Sequence, residues 1–128
     1  MNVTDLVMPK YEVTRVDSST LISVQISDCE ALMTAPEFLA SFSERELDYI
    51  FSKARGAHSL SARYAAKVGA ESISHIPWYQ FEITRTAEGI PQLLGRNERA
   101  CTYLDTYPIL LSLAHDEPLA LAYLMQRF

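Results

Sequence analysis

The hydrophobic pattern is clearest in residues 59–72, where apolar side chains recur at helical spacing. Leu60, Tyr64 and Val68 lie four residues apart, and Ile73 follows about one turn further on. Residues at this spacing share one face of an α-helix. The alanine-rich middle of the stretch favours helix and would let a neighbouring element approach closely. We therefore predict a long central helix that ends before Pro77.

A second helix has a clear start signal in the sequence. Ser43 and Glu46 form the Ser-x-x-Glu pattern of a capping box, in which each side chain binds the backbone N–H of the other residue. This pattern predicts a helix over residues 44–54, with Gly56 as its terminating residue. Further helices are predicted, in chain order, over residues 28–33, 36–42 and 96–106.

The strands are predicted from alternation of apolar and polar residues. In residues 20–27, Ile22, Val24 and Ile26 would point to one side of a sheet. Residues 79–84 and 91–95 read as a hairpin, with Gly89 in the turn. The other predicted strands are a short edge strand within residues 10–16 and two apolar strands at 109–113 and 119–125. The order of elements predicts a single α+β domain with an antiparallel sheet and a long central helix.

Composition excludes some classes of function. The chain has 128 residues and a net charge of −5, and an acidic balance argues against nucleic acid as a partner. We found neither a basic segment followed by an apolar run nor an apolar run of the ~20 residues that a membrane helix needs. We therefore expect a cytoplasmic protein without membrane contact. Its two cysteines, Cys29 and Cys101, are expected to be buried thiols rather than a disulfide.

The central helix contains Arg-Tyr-Ala-Ala-Lys-Val at residues 63–68. This run resembles the Arg-Phe-Ala-Ala-Lys-Glu helix of the holo-(acyl carrier protein) synthases, which move 4'-phosphopantetheine from coenzyme A to a carrier-protein serine. Phe-Ser-Glu-Arg-Glu-Leu-Asp-Tyr at residues 42–49 and Ser-Leu-Ala-His-Asp at residues 112–116 resemble two further motifs of that family. The resemblance implies a phosphopantetheinyl transferase-like domain over residues 21–128, an N-terminal extension over residues 1–20, and assembly as a trimer.

The resemblance also implies where catalytic residues would lie. The family binds Mg²⁺ with an Asp from its first strand and a Glu from the central helix, and it uses a Lys four residues after that Glu. Those positions are occupied here by Gln25, Val68 and Ser72. An amide, an alkyl group and a hydroxyl cannot supply the two carboxylates and the cation, so no catalytic residue is predicted.

Two carboxylates remain as weak candidates for a displaced metal site. Asp28 directly follows the predicted strand at residues 20–27, and Glu71 lies one turn along the central helix from Val68. A competing interpretation makes Glu71 a solvated residue that pairs with Lys67 four positions earlier. The sequence leaves both interpretations open.

Three residues match positions that would hold coenzyme A. Under the resemblance, Arg63 and Lys67 face the cofactor phosphates, and His115 corresponds to the His of the family's Ser-x-Ser-His turn. Arginine and lysine are natural phosphate binders. The alternatives are surface cations in ion pairs for Arg63 and Lys67, and a turn residue bonded to the hairpin backbone for His115.

We therefore expect a catalytically degenerate homologue that acts as a non-catalytic partner or accessory protein in a fatty acid or polyketide pathway. Its expected partner is an acyl carrier protein, a biosynthetic enzyme or an active paralogue, in a homo- or hetero-trimer. No cofactor is required, although coenzyme A binding is compatible with this interpretation. The alternatives are a divergent active transferase that uses Mg²⁺, and a structural protein that binds neither coenzyme A nor a carrier.

Overall fold

A four-stranded antiparallel sheet forms the frame of the structure, and a long helix packs across it. The structure is a computed structural model, and it describes residues 7–126. The strands are β1 (Tyr11–Val16), β2 (Ser19–Gln25), β3 (Phe81–Arg85), β4 (Pro91–Gly95), β5 (Ile109–Asp116) and β6 (Leu119–Gln126). The helices are α1 (Ile26–Glu30), α2 (Pro36–Leu39), α3 (Glu44–Phe51), α4 (Gly56–Ser74) and α5 (Glu98–Thr106), with a 3₁₀ turn at Trp78–Gln80. None of these helices, in the part of the chain described, is long and apolar enough to cross a membrane.

The main sheet has the strand order β1-β2-β6-β5, and every neighbouring pair in it is antiparallel. Ile22 lies opposite Ala122, and Val24 lies opposite Ala120. All four of these side chains are buried, as the alternation of residues 20–27 predicts for the strand β2. A separate two-stranded sheet joins β3 and β4. The predicted α+β class and antiparallel pairing are confirmed.

Helix α4 lies directly on the buried face of the main sheet. Leu60 and Val68 are buried on it, as the helical spacing predicts. Gly69 explains the close approach, because a Cβ atom at this position would lie 2.6 Å from Cδ1 of Leu124 and 3.0 Å from Cγ1 of Ile22. Contacts at those distances are shorter than van der Waals packing allows. A glycine at residue 69 therefore lets α4 rest on β2 and β6.

Helix α3 has the predicted capping box, but the helix after it begins earlier than predicted. The Ser43 hydroxyl accepts from the backbone N–H of Glu46, and the Glu46 carboxylate accepts from that of Ser43. Gly56 was expected to terminate α3, whereas α3 ends at Phe51 and Gly56 is the first residue of α4. A Cβ atom on Gly56 would lie 2.8 Å from the Ile50 carbonyl oxygen. The glycine thus permits a tight turn between two helices.

Two strand boundaries also differ from the sequence prediction. Strand β2 ends at Gln25, since Ile26 begins α1 and its N–H donates to the Pro118 carbonyl 3.0 Å away. Strand β5 continues to Asp116, so that His115 lies within a strand rather than in the turn. A hydrogen bond between segments distant in sequence sets the first boundary, and the hairpin pairing of Asp116 with Leu119 in β6 sets the second.

The two cysteines differ in exposure. Cys29 is buried, as expected, whereas Cys101 lies exposed on α5, so the expected burial of both thiols is wrong for Cys101.

The N-terminal segment adds an edge strand to the same sheet. The short strand expected within residues 10–16 is β1, and it pairs with β2 along its whole length. The Tyr64 hydroxyl of α4 donates to the Pro9 carbonyl at 2.9 Å, which ties this segment to the core. The expected boundary between an extension and a domain at residue 20 stays a prediction, and residues 1–6 lie outside the described part of the chain.

Candidate functional site

The three positions that the resemblance assigns to catalysis hold no carboxylate and no cation. Gln25 is exposed at the end of β2, and its side chain does not cap the following helix α1. Val68 is only 1% exposed and belongs to the hydrophobic core. Ser72 is partly exposed, and both its hydroxyl and its carbonyl oxygen accept hydrogen bonds from the Arg15 guanidinium of β1. These donor types do not fit Mg²⁺, which prefers carboxylate and water oxygens.

The two weak metal candidates, Asp28 and Glu71, lie on different helices. Asp28 is exposed on α1. The Glu71 carboxylate accepts a hydrogen bond from the backbone N–H of Trp78 at 3.0 Å, so it anchors the segment that leaves α4. Within residues 7–126, no group of three or more His, Cys, Asp or Glu side chains could hold a metal ion.

Lys67 is fully buried and bound to a partner that the sequence did not indicate. Its ammonium donates to the Glu46 carboxylate at 2.9 Å and to the Ser41 carbonyl at 2.8 Å. It also lies 4.1 Å from the Phe42 ring centroid. Burial lowers the pKa of Lys67 to about 8, and the attraction of Glu46 opposes that shift. The expected ion pair between Lys67 and Glu71 is wrong, because helical spacing identifies neighbours only within one helix.

A cavity of about 620 Å³ gathers cationic side chains from four elements. It lies where the end of α3, the first two turns of α4, the end of β3 and strand β5 meet. The charged or titratable side chains in its wall are Lys53, Arg55, His58, Arg63, Arg85 and His115. The structure thus brings Arg63 and His115, two of the three predicted coenzyme A residues, into one cavity. Lys67 is not part of its wall, and its proposed contact with the phosphates stays a prediction.

Arg63 is the deepest of these cations. It is 2% exposed, one of its terminal nitrogens donates to the Ser59 hydroxyl at 2.7 Å, and its guanidinium carbon lies 4.3 Å from the Tyr49 ring centroid. Its Nε has no hydrogen-bond partner among the described residues. Burial lowers the pKa of Arg63, with Glu46 acting in the opposite direction. A buried guanidinium N–H without a partner is unusual in proteins and fits a site for an anion.

Three cations surround one aromatic ring in this cavity. Lys53, Arg63 and Arg85 lie 4.7, 4.3 and 5.6 Å from the Tyr49 centroid. In the part of the chain that the structure describes, none of the three forms an ion pair within 4.0 Å. Uncompensated cations that converge in a protein of net charge −5 create a local positive potential. We call Tyr49, Lys53, Arg63 and Arg85 the Tyr49 cation cluster.

Beside the cavity lies the one carboxylate that contacts its basic side chains within the described residues. Glu117, in the turn between β5 and β6, lies 2.6 Å from Nε2 of His58 and 3.5 Å from a guanidinium nitrogen of Arg55. The His58 ring contacts that of His115 at a tilted angle, with centroids 4.8 Å apart. The first turn of α4 and the last hairpin are therefore joined by polar contacts at this point.

The residues that sequence reasoning missed are Tyr49, Lys53, Arg55, His58 and Arg85. Tyr49 and Lys53 lie four residues apart in the predicted helix 44–54, so their shared face could have been noticed. The approach of Arg85 from the end of β3 has no local signal. The same holds for the contact between the His58 and His115 rings, which depends on how the hairpin and α4 meet.

A second cavity, of about 880 Å³, lies between β4, α5 and β5. Its wall is mainly aliphatic. Its charged residues are Arg45, Glu82 and Asp105, of which Arg45 and Glu82 bind each other at 2.6 Å. Among the described residues its wall contains a single cation, and that cation is paired, so the cavity has no counterpart of the Tyr49 cation cluster. The first cavity is therefore the candidate functional site.

The fold and the candidate site define a small α+β protein with a basic cavity beside a long helix. Solved structures that superpose on it include several holo-acyl-carrier-protein synthases. That of Neisseria meningitidis is 17% identical, covers 87% of this chain and 98% of its own, and superposes with a TM-score of 0.73. One from Chronobacterium ammoniagenes, solved with coenzyme A, is 20% identical over 89% of this chain and 98% of its own, with a TM-score of 0.71.

A third such structure, from Mycobacterium tuberculosis, is 23% identical, covers 86% of this chain and 96% of its own, and has a TM-score of 0.66. No described protein family and no curated protein matches the sequence. The chain therefore has the fold of the holo-(acyl carrier protein) synthases, as the motifs in its sequence predict. At these identities, the likeness establishes the fold alone.

Proposed function

We propose that this protein is a catalytically degenerate homologue of holo-(acyl carrier protein) synthase that binds coenzyme A or a related phosphorylated ligand without transferring phosphopantetheine. It would act as a non-catalytic partner of an acyl carrier protein, a biosynthetic enzyme or an active paralogue in a fatty acid or polyketide pathway. Assembly as a homo- or hetero-trimer is part of this proposal. The synthases with the same fold act on acyl carrier protein, and some were solved with coenzyme A.

A contrast between two regions of α4 supports the proposal. At residue 68, where the resemblance calls for a metal-binding Glu, the chain has a core valine. One to two turns earlier, Arg63 faces a cavity with uncompensated positive charge. The transfer reaction develops charge on phosphate oxygens and needs Mg²⁺ held by carboxylates. The residues present fit the binding of phosphates and do not fit the metal.

Each member of the cavity has a distinct role in this proposal. The Arg63 Nε–H and the Arg85 guanidinium would donate to phosphate oxygens, because guanidinium groups bind phosphate in a bidentate manner. Lys53 would contribute charge at the rim. Tyr49 holds the three cations together through its ring face. His115 would add a further donor from β5.

A transfer assay tests the loss of catalysis. An apo acyl carrier protein is incubated with this protein, coenzyme A and Mg²⁺, and its mass is measured, with a holo-(acyl carrier protein) synthase as the positive control. We expect no mass increase from this protein. An increase by one phosphopantetheine group would refute the degenerate assignment and favour the divergent transferase, for which Glu71→Gln would then abolish activity.

Calorimetry with coenzyme A tests the retained binding site. Arg85→Gln and Arg63→Gln are expected to weaken binding about tenfold or more, since charged hydrogen bonds contribute ~1.5–3 kcal/mol each. Arg99→Gln is the matched control, because Arg99 is an exposed arginine on α5 outside the cavity. Binding should also weaken with salt. No binding of coenzyme A by the unmodified protein would favour the structural alternative.

A further inference from the structure

The carboxylate of Glu117 contacts two of the basic side chains that line the candidate site. Nε2 of His58 lies 2.6 Å from Oε1 of Glu117, and the same oxygen lies 3.5 Å from Nη1 of Arg55. His58 is 11% exposed in its side chain, whereas Arg55 and Glu117 are largely exposed. The turn between β5 and β6 therefore holds a negative charge against the N-terminal turn of α4.

Two neighbouring cavities share these cations. Arg55 and His58 line both the candidate site and a smaller cavity of about 380 Å³, and Glu117 lines only the smaller one. Glu117 thus binds the two side chains from the side opposite to the Tyr49 cation cluster. An anion in the candidate site could engage Arg55 and His58 fully only if their bonds to Glu117 were broken or shared.

We propose that Glu117 is an intramolecular competitor for the ligand of the candidate site. In the free protein its carboxylate holds Arg55 and His58, and a phosphate-bearing ligand displaces it when it binds. This inference rests on the proposed function, since it assumes an anionic ligand in that cavity. Its consequence is that the unmodified protein binds such a ligand more weakly than its own set of cations would allow.

The charge distribution supports this division of roles. Lys53, Arg63 and Arg85 form no ion pair within 4.0 Å among the described residues. Arg63 and Arg85 donate to neutral oxygens, those of the Ser59 hydroxyl and the Gly89 carbonyl, so a ligand displaces no carboxylate from them. Arg55 and His58 differ from them because each already contacts Glu117. Neutralising Glu117 would release two further basic side chains and remove one repelling charge.

The experiment measures coenzyme A binding by calorimetry for the unmodified protein, Glu117→Gln and Asp116→Asn. Asp116 is the matched control, because it is the adjacent exposed carboxylate and forms no ion pair with Arg55 or His58 in the structure. We expect Glu117→Gln to lower Kd about threefold to fivefold, which is the upper part of the range that exposed ion pairs contribute. Asp116→Asn should change Kd less than about twofold.

Inorganic pyrophosphate is titrated in parallel, so that the two proposals can fail separately. One outcome is that Glu117→Gln binds pyrophosphate more tightly than the unmodified protein does, while no variant binds coenzyme A. This outcome would support the competitor role and overturn coenzyme A as the ligand. Coenzyme A binding that is unchanged or weaker in Glu117→Gln would overturn the competitor role alone. Equal tightening in Asp116→Asn would overturn it as well, since the effect would then be one of net charge. No binding of either probe would overturn both.

Discussion

Replacing Lys67 by methionine tests whether the buried ion pair of α4 stabilises the fold. The ammonium of Lys67 contacts the Glu46 carboxylate at 2.9 Å, and both side chains are 0% exposed. Methionine has a similar length and is apolar, so it fills the volume of the lysine side chain without its charge. The change therefore removes the cation and leaves the carboxylate buried.

The expected loss in the free energy of unfolding depends on which partners the Glu46 carboxylate keeps after the change and which it loses. Breaking a buried ion pair from one side costs ~3–5 kcal/mol, because an uncompensated charge remains in the interior. The Glu46 carboxylate keeps hydrogen bonds from the backbone N–H groups of Ser43 and Ile83, at 3.0 and 3.1 Å. These two bonds place the cost near the lower limit. We expect Lys67→Met to lower the free energy of unfolding by about 3 kcal/mol at pH 7.

Urea unfolding of a double-mutant cycle measures this effect. The cycle combines Lys67→Met with Glu46→Gln, and Lys53→Met serves as the control because Lys53 is an exposed lysine on the surface after α3. We expect a coupling energy of about 2 kcal/mol or more between residues 46 and 67. The control should lie within about 0.5 kcal/mol of the unmodified protein. A loss below about 1 kcal/mol for Lys67→Met would refute the argument from the buried carboxylate.

Two other properties can be measured directly. Gly69→Ala should lower the free energy of unfolding by about 1–3 kcal/mol, because the added Cβ would clash with Leu124. At an unstrained helix position the same change would raise the free energy of unfolding by ~1 kcal/mol, and that result would show that α4 does not lie so close to the sheet. A thiol reagent should label the exposed Cys101 and leave the buried Cys29 unmodified in the native protein, since burial raises the pKa of the Cys29 thiol to about 11. Peptide mass spectrometry measures the label, and labelling of both cysteines would argue against the burial of Cys29 in the core.

Part of the fold could be predicted because its signals are local. The capping box of Ser43 and Glu46 fixes the start of α3, and the spacing of Leu60, Tyr64 and Val68 predicts α4 and the burial of these three side chains. The burial of α4 on all its sides from Leu60 to Ala70 has no such local signal. The start of α4 was missed because glycine is typical both of helix ends and of tight turns between helices. The contact that decided between these roles is the close approach of Gly56 to the Ile50 carbonyl.

The sequence predicted only those residues of the candidate site that belong to a motif of the family. Arg63 and His115 were found through their motifs, and both line the basic cavity. Lys67 belongs to the same motif, yet its ammonium is bound to Glu46, which lies 21 residues earlier in the chain. The assigned roles of all three in ligand binding stay predictions until binding is measured.

The sequence by itself determined the class of the fold, the long helix, and the absence of carboxylates at residues 25, 68 and 72. These depend on residue identity and on periods of two to four residues, which a chain carries whether folded or not. Only the tertiary structure decided which cations have partners. Ion pairing depends on distances of a few ångströms between side chains from different elements, and packing of α3, α4, β3 and the last hairpin sets those distances. This packing neutralises Lys67 with Glu46, occupies Arg55 and His58 with Glu117, and leaves Arg63 and Arg85 at the cavity without such a partner among the described residues.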